Sequence, residues 1–207
     1  LPVFLAISLF EECFRDLFPE EDRFGAFRLL QGFDHKTLEA DRALWQLSRR
    51  AIATQVVRDA FATNSVGNIP GALERSSAGR AFLDELHGYL DAYGRNVSRW
   101  LLSAPSWIED PAPVLINLQH YIGQPERDPH AELAALATAR TRLVAAARDR
   151  LAGYPAPVRE QFEALLSAAQ TATVLSEEHA FWIDYASMYE VRRVYLACGR
   201  RTSYMLA

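Results

Sequence analysis

The 207-residue chain has few cysteines and methionines, two of each, and no strong charge of either sign. Cys13 and Cys198 are too few for a disulfide framework and match no metal-binding spacing, so a reducing cytoplasm is the expected location. The net charge of −4 gives no electrostatic basis for binding nucleic acid or an anionic membrane. The longest apolar run, residues 1–10, is too short to span a bilayer and lacks the basic flank of a signal peptide.

Motifs for nucleotide binding and hydrolysis are also missing. There is no GxGxxG, no P-loop, no HExxH and no GxSxG. The five histidines lie far from metal-ligand spacing with one another: His35, His87, His120, His130 and His179. We therefore expect no cofactor and no metal, and the simplest interpretation of each histidine is a structural or solvated side chain.

Most of the sequence shows helical periodicity. Half of the residues are hydrophobic and 11% are aromatic, which is typical of a well-packed globular protein. Apolar residues recur at helical spacings, and no alternating run of β-forming residues occurs. The pattern predicts an all-α fold, a single domain over residues 1–207 with about seven to nine helices around an apolar pocket. Helices are predicted over residues 3–18, from the N-cap Thr37, from the cap Ser77, over 114–121, 130–151 and 158–171, and from Ser176 to Gly199. An alternative is that the helix over 158–171 continues, kinked, into the last one.

Within the last of these helices, a carboxylate and an imidazole adjoin aromatic residues. Glu178 lies on the same helical stripe as Trp182 and Tyr185, and His179 lies about 100° round the helix from it. Such a pair can act as a general acid and base. The two residues also fit a first-turn acid and a structural histidine, and the sequence leaves both interpretations open.

Three segments, taken in order, cover most of the chain and carry a family resemblance. Residues 9–49 contain LLQG and EADRALWQL, residues 82–111 contain DAYGRN and SAPSWIEDP, and residues 177–201 read EEHAFWIDYASMYEVRRVYLACGRR. Together they resemble the central helical region of phosphoenolpyruvate synthase-like proteins, the group that includes rifampicin phosphotransferase. In that family, an ATP-grasp domain forms a phosphohistidine, a swivelling domain carries it, and the helical domain holds the acceptor substrate.

The resemblance implies that this chain is the acceptor-binding domain, without the ATP-grasp domain or the phosphohistidine domain. Both are expected elsewhere in a longer protein, and the chain begins mid-pattern on Leu1, which is typical of a fragment. The rifampicin relatives offer an apolar tunnel, so the resemblance implies a bulky, largely apolar small molecule resembling a natural product as the ligand.

The resemblance also indicates site residues. Glu178 and His179 match the family pattern, so we expect any catalytic role to fall on them. Gln31, Lys36 and Glu39 match as well, and the alternative interpretation of all three is a well-capped loop that leads into the following helix. The expected substrate-binding residues are Gln31, Lys36, Arg95, Arg99, Trp100, Trp182, Tyr185 and Tyr189.

One loop departs from the family. Where relatives have YGHR, Arg95 and Asn96 stand in place of the histidine and the arginine. Where relatives have EWDL, Arg99 and Leu101 stand in place of the two carboxylates. This departure puts the ancestral phosphoacceptor chemistry in doubt. It leaves two main function classes: a binding module without phosphotransferase activity of its own, or a stand-alone cofactor-independent lyase, isomerase or cyclase that uses Glu178 and His179. A helical scaffold protein is a weaker third. The sequence specifies neither the substrate, the reaction nor the oligomeric state.

Overall fold

The computed structural model describes residues 2–97 and 101–205. Within these ranges the chain is helical, and its one extended pairing is an isolated antiparallel bridge between Val97 and Ser106. The all-α prediction is confirmed. The helices are α1 (Pro2–Leu17), α2 (Gly25–Arg28), α3 (Lys36–Ala53), α4 (Gln55–Thr63), α5 (Ile69–Leu73), α6 (Ser77–Tyr93), α7 (Ala112–Gly123), α8 (Pro129–Leu151), α9 (Ala156–His179) and α10 (Met188–Met205), with a 3-10 turn at Val66–Asn68 and a π-helical segment at Ala180–Ser187.

The chain forms two compact units, of which the first comprises residues 1–38 and 129–179. Here α1 packs along α9 because phenylalanines recur every four residues on one face of α1. Phe10 and Phe162 are completely buried, and their ring centroids lie 5.9 Å apart. The core is completed by Phe14, Phe18, Ala26, Leu29, Leu30, Val144, Ala147, Leu151, Leu166 and Ala169.

The second unit comprises residues 39–128 and 180–207. Its core is formed by apolar faces of α3 to α7, around residues that are completely buried, such as Val57, Ile69 and Leu118. Ser76 caps α6, since its hydroxyl accepts a hydrogen bond from the Gly79 N–H at 2.9 Å. Across the described part of the chain, no helix combines the length and apolar character needed to cross a membrane.

Several predicted helix boundaries are wrong. The cap of α6 is Ser76 rather than Ser77. Ser176 does not start a helix; instead the alternative holds, because α9 begins at Ala156 and continues through this stretch to His179. Gly199 does not end a helix either, since α10 continues to Met205. The apolar pocket that the sequence predicts at the centre of the fold stays a prediction.

Candidate functional site

A loop over residues 31–35 joins α2 to α3 and is held tightly against α8 in the first unit. Gly32 has φ of +76°, and a Cβ atom there would lie 2.4 Å from the backbone nitrogen of Ala137. Only glycine fits both the left-handed backbone and this close approach. Arg140 donates from Nη1 to the Gln31 carbonyl oxygen at 2.7 Å, and its guanidinium carbon lies 3.7 Å from the Phe33 ring centroid. Burial lowers the pKa of Arg140.

Glu178 meets the end of this loop. Its Oε1 accepts a hydrogen bond from the backbone N–H of Lys36, the first residue of α3, at 3.0 Å. The first N–H groups of a helix have no partner within the helix, and a carboxylate there also meets the positive end of the dipole. Glu178 therefore caps α3, a helix 142 residues away in sequence, instead of its own helix.

The neighbouring polar side chains of the loop are less completely paired. His35 Nδ1 lies 3.8 Å from Glu177 Oε2, and the His35 side chain is 15% exposed. In the described residues, this nitrogen and the Thr37 hydroxyl are buried and have no hydrogen-bond partner. The prediction that Thr37 is an N-cap is wrong, because α3 already begins at Lys36 and the Thr37 hydroxyl bonds to no backbone N–H.

The second unit contains an aromatic cluster formed by Tyr89, Tyr93, Phe181 and Trp182. The Tyr93 hydroxyl donates to Glu39 Oε1 at 2.8 Å, and its ring meets Phe181 edge-on with centroids 6.5 Å apart. Phe181 in turn lies 5.0 Å from Trp182, whose surface is 48% exposed. Burial and the hydrogen bond to Glu39 raise the pKa of Tyr93 to about 12. Tyr93 therefore remains a neutral hydrogen-bond donor at physiological pH.

Phe181 and Trp182 belong to the π-helical segment Ala180–Ser187. Such segments are rare, are wider than an α-helix, and occur frequently at functional sites. Tyr185 lies in the same segment and is half-buried, as is Tyr189 one turn further on. Arg193 stacks near Tyr189, with 5.7 Å between the guanidinium carbon and the ring centroid. This part of the second unit thus presents several aromatic rings on one continuous segment.

Arg192 on α10 holds the irregular loop that precedes α7. It donates from Nε to Glu109 Oε2 at 2.9 Å and from Nη1 to the Leu102 carbonyl oxygen at 2.5 Å. The Glu109 carboxylate also accepts from the N–H and the hydroxyl of Ser106 at 2.8 and 2.9 Å. Burial opposes ionisation of Glu109, but the bonds from Arg192 and Ser106 outweigh it and lower the pKa. The WIEDP part of the family-like loop therefore has a structural role.

The sequence-predicted residues are only partly brought together. Lys36 meets Glu178, whereas His179 is exposed at the end of α9 and Arg95 is exposed after α6. Arg99 and Trp100 lie outside the described residues. Sequence reasoning missed four polar or aromatic groups at these places: His35, Tyr93, Arg140 and Glu177. His35, Tyr93 and Glu177 each lie in one of the three family-like segments, whereas Arg140 lies in none of them. Local periodicity does not predict which of these residues meet in space.

A groove of about 460 Å³ lies elsewhere in the first unit, at the C-terminal half of α1. Its floor includes Phe14 and Phe18, and charged residues form its rim. None of the predicted site residues lines it. Among the described residues, no cluster of three His, Cys, Asp or Glu side chains is placed to hold a metal ion.

Comparison with known proteins identifies the family to which this helical chain belongs. The chain belongs to the rifampicin phosphotransferase fourth domain family, whose profile matches residues 1–177. It is 46% identical over 200 residues to chondramide synthase of Chondromyces crocatus, an alignment that covers 97% of this chain and 5% of that protein. The family recognised from sequence is therefore confirmed.

A second relative is an uncharacterized phosphotransferase, YvkC, of Bacillus subtilis (strain 168). It is 30% identical over 122 residues, which cover 58% of this chain and 15% of YvkC. The chain thus corresponds to a small part of both relatives, which are larger proteins. No solved structure matches the chain.

Proposed function

We propose that this chain is the acceptor-binding helical domain of a larger phosphotransferase-like protein, and that it binds a bulky, largely apolar natural product. The observation that carries the proposal is the match of residues 1–177 to one domain of rifampicin phosphotransferase. Rifampicin is a derivative of a natural product, and chondramide synthase is named as a natural-product synthase, which supports this ligand class. The ATP-binding and phosphohistidine domains would lie elsewhere in the longer protein, so the chain alone transfers no phosphoryl group.

Each unit, taken by itself, contains residues that we propose for contact with an acceptor molecule. In the first unit these are Gln31, Lys36 and Glu178, on the loop that Gly32 and Arg140 fix and at the end of α9. In the second unit they are Trp182, Tyr185 and Tyr189, which offer ring surface to an apolar ligand. Arg95, Arg99, Trp100 and His179 complete the proposed set.

Glu178 and His179 are the residues proposed for any proton transfer to or from the bound acceptor. Glu178 already caps α3, and that use of its carboxylate competes with general-base chemistry. The alternative of a stand-alone lyase, isomerase or cyclase has less support, because both relatives are far longer than their aligned segments.

Calorimetric titration of the chain with rifampicin and, separately, with ATP tests the proposal. We expect saturable binding of rifampicin and no binding of ATP. Trp182→Ala should weaken rifampicin binding at least fivefold, about 1 kcal/mol, because it removes an aromatic surface. Tyr154→Ala is the matched control, since Tyr154 is 43% exposed, comparable with the 48% of Trp182, and lies in a turn of the first unit. Binding of ATP without rifampicin would refute the proposed function.

A further inference from the structure

Two buried polar atoms in the first unit lack a hydrogen-bond partner among the described residues. They are the Nδ1 atom of His35 and the Oγ1 atom of Thr37, on either side of Lys36. Leaving such a group unpaired costs stability, and folded proteins therefore retain few of them. Two such atoms, one on each side of Lys36, leave unused hydrogen-bonding capacity at this place in the fold.

The backbone around these atoms is fixed on both sides. Gly32 packs against the α8 backbone before His35, and the Lys36 N–H is held by Glu178 directly after it. The backbone that carries the two side chains is therefore held in place. The nearest carboxylate to His35 is Glu177, whose Oε2 lies 3.8 Å from Nδ1, too far for a hydrogen bond.

We propose that His35 and Thr37 form a subsite for a hydroxyl group of the acceptor molecule, a proposal that rests on the proposed function. A hydroxyl both donates and accepts, so it can pair with Nδ1 in either tautomer of His35 or with the Thr37 hydroxyl. An anionic group is disfavoured, because the carboxylates of Glu177 and Glu178 lie beside the loop. The subsite thus selects a neutral polar group on an otherwise apolar ligand.

The stability of the ligand-free chain provides the first test. Thr37→Val keeps the side-chain shape and removes an unpaired hydroxyl, so the melting temperature should stay unchanged or rise. Thr173→Val is the matched control in the same unit, because the Thr173 hydroxyl donates to the Ala169 carbonyl oxygen at 2.9 Å. That variant should melt at a lower temperature. If Thr37→Val lowers the melting temperature as much, a water molecule or the protein already satisfies the hydroxyl, and the subsite is refuted.

Binding provides the second test, with rifampicin, a polyhydroxylated ligand, as the probe. Thr37→Val and His35→Phe should each weaken calorimetric affinity at least fivefold, whereas Thr173→Val should leave it unchanged. If both variants bind rifampicin as tightly as the wild type does, the subsite is refuted and the proposed function stays intact. A wild-type chain that does not bind rifampicin would instead contradict the proposed function and remove the acceptor as the occupant. The unfolding and binding measurements therefore separate the two failures.

Discussion

Gly32 adopts φ of +76° where the backbone of α8 leaves no room for a side chain. An L-residue in this conformation is strained, and here its Cβ would also collide with Ala137. The arrangement fixes the direction of the loop that carries Gln31 and His35. A single glycine thereby determines where the polar groups at the start of α3 are presented.

Replacing Gly32 with alanine should destabilise the chain by about 2 kcal/mol, from left-handed strain together with displacement of the loop from α8. Thermal or urea unfolding measures the loss. Gly153→Ala is the control, because a Cβ at Gly153 would meet no atom within 4 Å and its φ is not positive. Equal stability of the two variants would show that the loop does not need this close approach.

Glu178 is expected to contribute to stability through its bond to the Lys36 N–H. Glu178→Ala should cost about 1 kcal/mol, as other lost helix caps do, and Glu178→Gln about half as much, because the amide oxygen can still accept. The melting temperature reports the difference, with exposed Glu160 on the same helix, changed to alanine, as the control. A Glu178→Gln variant that keeps its melting temperature but binds rifampicin tenfold more weakly would favour a ligand role instead.

Among the elements, α8 was predicted within one residue, as 130–151 against Pro129–Leu151, because proline and glycine punctuate both of its ends. The junction of α9 with the π-helical segment was not predictable. Ser176 and Glu177 have the residue types of a helix start, but these types are also tolerated in a helix interior, where packing decides. The π-helical hydrogen bonds leave no signature in the spacing of apolar residues.

The tie between α10 and the loop before α7 predicts a defined pH dependence. The pKa of Glu109 is lowered in the folded chain, so its stabilising effect is fully present above the ordinary unfolded value of about 4.3 and is lost as pH falls through the lower folded value. Glu109→Gln should therefore cost about 1 kcal/mol near pH 7, after allowance for partial exposure, and progressively less below about pH 4.

Thermal unfolding of wild type and Glu109→Gln across pH 3 to 7 checks this expectation. Glu126→Gln serves as the control, since Glu126 is exposed in the loop before α8. The difference in melting temperature between wild type and Glu109→Gln should shrink on acidification. A difference that grows towards pH 3 would mean that the carboxylate is not stabilised by Arg192 and Ser106.

At the scale of the whole molecule, sequence supplied the all-α class and the family, both of which are confirmed. Periodicity is a local property, so it reported helices but could not pair Lys36 with Glu178 across 142 residues. The same limit explains why His35 and Thr37 were interpreted as an ordinary histidine and a cap. Their surroundings include the loop at Gly32 and the end of α9, which come together only in the folded first unit.

Hydrogen–deuterium exchange of the chain with and without rifampicin tests the central claim most directly, because it reports both binding and its location. An acceptor-binding domain should show slower exchange in peptides that cover residues 31–37 of the first unit or residues 180–189 of the second unit. Unchanged exchange throughout, or slower exchange confined to residues 11–26 around the groove at α1, would contradict the account.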